Sequence, residues 1–158
     1  MGKHEEKLRE MGFELPEAPA RAGLYEQSKE DGNGLVWVSG CLPTVNGGVI
    51  TGKAGDISLE EAQRAAVASV LNLLAVLKRD LGDLERIESV VKITVFVASA
   101  DGFFDQPQVA NAASKLLIGL FGARAGGHTR SAVGVYALPL GAAVEIEAVV
   151  RVNSGYRI

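Results

Sequence analysis

Residues 129–150, TRSAVGVYALPLGAAVEIEAVV, constrain this chain more than any other stretch, because they read as two short apolar strands carrying one arginine and two glutamates. Side chains alternate faces along a strand. Ser131, Val133, Val135 and Ala137 therefore share one face of the first strand, and Arg130, Ala132, Gly134 and Tyr136 share the other. Past a turn at 138–143, Val144, Ile146, Ala148 and Val150 share one face, with Glu145 and Glu147 opposite. Joining the two apolar faces in one core predicts that Arg130, Glu145 and Glu147 emerge together on the far side. Two readings of that trio stand side by side. One is a cross-strand ion pair on a solvated sheet face, which contributes under about 1 kcal/mol. The other is a guanidinium kept for a ligand carboxylate, gripped by two parallel hydrogen bonds.

The rest of the chain supplies elements to support these strands. Residues 35–39 alternate around Trp37 with β-branched neighbours, a strand signal. The turn Asp31-Gly32-Asn33-Gly34 pairs them with an earlier strand over 23–28 that carries Tyr25. Ser58 with Glu61 three residues on opens a helix by reciprocal capping. Ala62, Ala65, Ala66, Val70, Leu73, Leu74 and Leu77 continue it as one apolar stripe, and Gly82 closes it. Residues 87–97 form a long strand, with Val91, Ile93, Val95 and Val97 on one face and Val90, Lys92, Thr94 and Phe96 on the other. A second helical stripe runs from Pro107 through Val109, Ala113, Leu117 and Leu120 to Gly122, and a glycine-rich loop over 123–128 delivers the chain to Arg130. At the N-terminus, residues 3–12 read as a short polar helix and 15–22 as an extended arm, so the chain divides into 1–20 and a body of 21–158. The element order predicts an α+β domain, a mixed sheet with two helices packed on one face. The other face carries Phe96, Tyr136 and alanines beside the charges, which predicts burial against copies of the same chain.

Composition excludes several classes of function. At 158 residues, 47% hydrophobic and 22% charged, the chain is one globular domain. Its longest apolar run, 65–77, is interrupted by Ser69 and Asn72 and is shorter than the ~20 residues a membrane span needs, so no membrane contact is expected. The charged N-terminus lacks the apolar region of a secretory signal, which predicts a cytoplasmic protein. Cys41 is the single cysteine and reads as a small packed hydrophobe, with no disulfide and no multi-cysteine metal site available. His4, in an end expected to be mobile, and His128 are the only histidines, too few for a metal site or a Ser-His-Asp triad. His128 does share strand parity with Arg130. Net charge is −3 with the basic residues scattered, which argues against a nucleic-acid partner. Tyr25 and Trp37 read as packing residues.

Several motifs, in order, resemble the RidA/YjgF family, whose members were formerly labelled translation inhibitors or endoribonucleases. They are Gly23-Leu-Tyr25, Leu35-Val-Trp-Val-Ser-Gly40 with Leu42-Pro43, the strand bearing Lys92, Thr94 and Phe96, Arg130-Ser-Ala-Val133, Leu138-Pro139 and Val144-Glu-Ile-Glu-Ala148. The resemblance spans residues 22–152. It implies a chorismate-mutase-like subunit assembled as a homotrimer with clefts between adjacent subunits. It further implies hydrolytic deamination of reactive 2-enamine/2-imine carboxylic acids, such as 2-aminoacrylate, to 2-keto acids and ammonia, without cofactor or metal. Arg130 would fix the carboxylate, Glu145 would orient or deprotonate water, Tyr25, Ser39 and Gly40 would line the cleft, and backbone near Ala132 would bind the nitrogen end. That chemistry suits these residues, since the imine carbon is already electrophilic and positioning alone removes several kcal/mol of barrier. Ala132 stands where many members have Cys, Gly134 replaces a commonly acidic position, Cys41 a frequent Gln, and residues 1–20 extend beyond short members. These departures keep open a non-catalytic trimer that binds small carboxylic acids as a regulator. A ribonuclease is disfavoured by the acidic charge balance.

Overall fold

The computed structural model describes residues 1–153. Caps and apolar periodicity set the two long helices. At the head of α2 (Leu59–Leu81), Ser58 Oγ accepts from the Glu61 N–H at 3.1 Å, satisfying a donor that the helix itself leaves orphaned. Gly82 ends it at φ 85°, a left-handed conformation that costs glycine least. α3 (Gln106–Gly126) starts with Pro107 in its first turn and is interrupted at Gly122, so its regular part stops where the sequence placed its end.

Among the described residues five strands form the main sheet: β1 (Ser28–Glu30), β2 (Leu35–Cys41), β5 (Ile87–Ala98), β6 (Thr129–Val135) and β7 (Val144–Val152), with β3 (Thr44–Val45) and β4 (Gly48–Val49) as a separate small hairpin. Their spatial order is β1-β2-β7-β5-β6. Among the strands of the described residues only β5 and β6 pair in parallel, joined by α3 as the crossover that parallel neighbours require. Both α2 and α3 pack on one face, against each other and the sheet. The core lies between layers, with Val36, Val38, Ile93, Val95, Ile146 and Val150 from the sheet meeting the buried stripes of α2 and α3. This is the predicted α+β domain with two helices on one face. On the opposite face Trp37 is 48% and Val133 40% exposed.

Three local expectations are corrected. The first strand begins at Ser28 instead of residue 23, leaving Tyr25 in an irregular segment before it. The Asp31 carboxylate accepts from the N–H groups of Asn33 (2.7 Å) and Leu35 (3.0 Å), and this tight turn pairs only Ser28–Glu30 with β2. In β5 a register shift between Val90 and Lys92 buries Val90 and exposes Val91, because an extra residue reverses side-chain parity upstream of it. Finally, the N-terminus is docked. α1 (Lys3–Glu10) buries Leu8 to 1% exposure, Glu5 pairs with Lys78 of α2, and the His4 N–H donates to Glu85 at 2.7 Å. The His4 ring meets Phe121 with centroids 4.8 Å apart, so His4 is held on the body, and Leu15 and Ala18 of the arm pack against the core. Among the described residues no helix is long and apolar enough to cross a membrane.

Candidate functional site

Arg130 owes its direction to the pairing of β6 with β5. Ile93 pairs with Arg130 and Val95 with Ala132, and paired residues of adjacent strands project to the same face. Since Ile93 and Val95 are buried under the helices, Arg130 and Ala132 also face the helix layer. There the Arg130 Nη1 donates to Asn111 Oδ1 at 2.9 Å and to Ser114 Oγ at 3.1 Å, both on α3. Its Nε and Nη2 make no hydrogen bond among the described residues, and no carboxylate there pairs with it. The His128 Nε2 lies 2.9 Å from Ser114 Oγ and its Nδ1 2.7 Å from the Gly126 carbonyl. His128 and Arg130 thus share a face, as their parity predicts, and meet through Ser114.

Glu145 and Glu147 project from the other face. Glu145 pairs with Phe96 and Glu147 with Thr94, residues outside the helix-covered core. The expectation that Arg130 emerges beside them is therefore overturned, and so is the cross-strand ion pair. Parity groups residues correctly within β6, but the face carrying Val133 and Val135 is the uncovered one, while small Ala132 sits against the helix layer.

A second cluster forms around Glu145. A Cβ on Gly40 would collide with Glu145 Oε1, so glycine at this position is what lets the carboxylate rest against β2. Next to it Ser39 Oγ donates to the Glu26 carbonyl at 2.6 Å, one residue from Tyr25, and Arg21 donates to the Tyr25 carbonyl at 3.1 Å. These bonds hold the half-exposed Tyr25 segment over the same end of β2. Asn72 of α2, itself buried, donates to the carbonyls of Leu42 and Thr44 and pins the turn that follows. Glu145 receives no hydrogen bond among the described residues. Burial, and then the charge of Glu147, raise its carboxyl pKa above the ordinary value. The neighbouring Cys41 thiol is buried and pushed up to about 12, by burial first and Glu145 second, so it stays protonated and acts as a packed hydrophobe.

The structure therefore brings Tyr25, Ser39, Gly40 and Glu145 to one region and holds Arg130 and Ala132 in another, on β6 at the sheet edge. Asn111 and Ser114 escaped the sequence reading. Their only signal is a polar pair three residues apart beside the apolar stripe of α3, a spacing that also describes any solvated helix face. Among the described residues no group of three or more His, Cys, Asp or Glu is placed to hold a metal ion.

The sequence model of the family described as Endoribonuclease L-PSP matches residues 15–152. Protein TCP17 of Trypanosoma cruzi is 43% identical over 155 residues, covering 97% of this chain and 96% of its own. The crystal structure of Atu1372 from Agrobacterium tumefaciens, a protein of unknown function, is 41% identical with a TM-score of 0.88, covering 95% of this chain and 92% of its own. E. coli TdcF with bound serine is 25% identical with a TM-score of 0.63, covering 87% of this chain and 94% of its own. With the motifs, the sheet order and these likenesses in agreement, the chain belongs to the Endoribonuclease L-PSP family, the YjgF/RidA family.

Proposed function

We propose that this protein hydrolyses reactive 2-enamine/2-imine carboxylic acids to 2-keto acids and ammonia, in clefts between the copies of a homotrimer. The observation that carries this reading is the state of Arg130. Its positive charge is held by two neutral acceptors on one nitrogen, and the remaining Nε and Nη2 are left to an incoming carboxylate. Two parallel hydrogen bonds from that edge would fix the acid end of a small substrate. The serine bound by TdcF is a molecule of this size carrying the same acid group.

Because Arg130 and Glu145 project from opposite faces of one sheet, a cleft that uses both draws them from two chains. One copy supplies Arg130 with the Ala132 backbone, and the next supplies Tyr25, Ser39, Gly40 and Glu145. The uncovered sheet face with Trp37, Phe96 and Val133 is the surface such an assembly would bury. With the carboxylate fixed, water adds to the imine carbon while Glu145 takes one of its protons and returns it to the nitrogen, giving a carbinolamine. Glu145 then takes the remaining hydroxyl proton as the C=O bond forms and the C–N bond breaks, and that proton leaves on the nitrogen as ammonia. Proton transfer by a positioned carboxylate contributes about 10²–10⁴-fold. The raised pKa of Glu145 brings its proton affinity nearer the working range.

Arg130→Ala should weaken pyruvate binding by about 10- to 100-fold in calorimetry, the scale of a charge-assisted hydrogen-bond pair. It should also abolish the acceleration of 2-aminoacrylate decay when that imine is generated by a dehydratase. Glu145→Gln should keep pyruvate binding and lose turnover. A wild type that leaves imine decay unchanged yet binds pyruvate through Arg130 would replace the enzyme with a carboxylic-acid binding protein.

A further inference from the structure

With a neutral His128 ring, the hydrogen-bond chain behind Arg130 has one direction. A carbonyl oxygen only accepts, so the His128 Nδ1, 2.7 Å from the Gly126 carbonyl, carries the ring proton. In the neutral imidazole Nε2 is then an acceptor, and the Ser114 hydroxyl 2.9 Å away donates to it. With its hydrogen committed to His128, Ser114 Oγ turns lone pairs toward the Arg130 Nη1 at 3.1 Å. Without that acceptor, a helical serine donates to a backbone carbonyl of the preceding turn, and the direction of its lone pairs is set by the helix.

We infer that His128 is a positioning residue for the substrate-binding arginine, acting through Ser114 to keep the Nε/Nη2 edge of Arg130 turned to the ligand. The inference rests on the proposed role of Arg130 and adds a residue outside the family motif that the sequence shows. His128 terminates the chain on the β6 side, Gly126 fixes its ring, and Asn111 supplies the second acceptor for the same guanidinium nitrogen. Among the described residues no carboxylate pairs with His128. Among the described residues, the hydrogen bonds that join it to Arg130 run through the Ser114 hydroxyl.

The test measures pyruvate affinity by calorimetry and imine turnover for wild type, Arg130→Ala, His128→Leu, His128→Gln, Ser114→Ala and Ser114→Thr, with thermal melting as a folding control. Leu and Ala remove the acceptor and the hydroxyl, while Gln and Thr retain them. His128→Leu and Ser114→Ala should each raise Kd and KM about fivefold, the worth of one ordinary hydrogen bond, with kcat within about twofold of wild type. His128→Gln and Ser114→Thr should return both to within about twofold. Wild-type affinity in a folded His128→Leu or in Ser114→Ala, or no recovery in either conservative variant, overturns the positioning role. If His128→Leu does not fold, His128→Ala, which also lacks the acceptor, takes its place. Absence of Arg130-dependent binding in the wild type would instead reject the reading on which the role rests.

Discussion

Glu145 is the residue at which sequence and environment diverge most. In isolation it is an ordinary strand glutamate. In the fold, burial and Glu147 hold its carboxyl pKa above the ordinary value, so the folded protein keeps this proton to a higher pH than the unfolded chain. Stability then falls as pH rises through the ordinary carboxyl value toward the raised one, and the loss is complete above it. Glu145→Gln should therefore raise the melting temperature at pH 7, with the gain shrinking toward about pH 3, where wild type is protonated in both states. Equal gains at both pH values in thermal denaturation would show that the ionisation is not the cause. Cys41, read from sequence as a packed hydrophobe, is buried with its thiol raised to about 12. Arg130 was legible as a candidate, whereas its partners Asn111 and Ser114 were not, because a polar pair on a helix carries no mark of what it faces.

Among the elements, the long helices were readable because caps and a 3.6-residue apolar period are local signals. The strands were readable in existence but less so in extent. The bulge in β5 depends on its partner β7, and the start of β1 depends on the turn at Asp31, so neither is written in a single strand. α1 shows the same limit. Its polar sequence reads as a loose end, yet one side chain, Leu8, reaches the core between α3 and the 3-10 turn at Leu84–Arg86. Leu8→Ala should cost about 2–5 kcal/mol in urea denaturation, the range for emptying a buried leucine site. A loss under about 0.5 kcal/mol, the scale of a neutral surface substitution, would mean that α1 contributes nothing to the folded domain.

For the whole molecule, the uncovered sheet face is the surface on which the proposed assembly depends. Trp37, Phe96 and Val133 lie there, with Val133 paired to Phe96 across β5 and β6. Light scattering should give three times the 16.6 kDa chain mass for wild type, and Val133→Lys should lower it by placing a charge in the face that the proposed assembly would bury. A wild-type monomer at micromolar concentration would remove the homotrimer and with it the two-chain cleft. The two helices, the alternation of β7, the α+β class and the family motifs follow from the amino-acid order, because each is carried by residues near one another in the chain. That Arg130 faces the helix layer and Glu145 the open side emerges from the folded arrangement of the strands. Parity states which residues share a face of a strand. Which face receives the helices is set by the parallel register of β6 on β5 across the α3 crossover, a long-range pairing that no local pattern encodes.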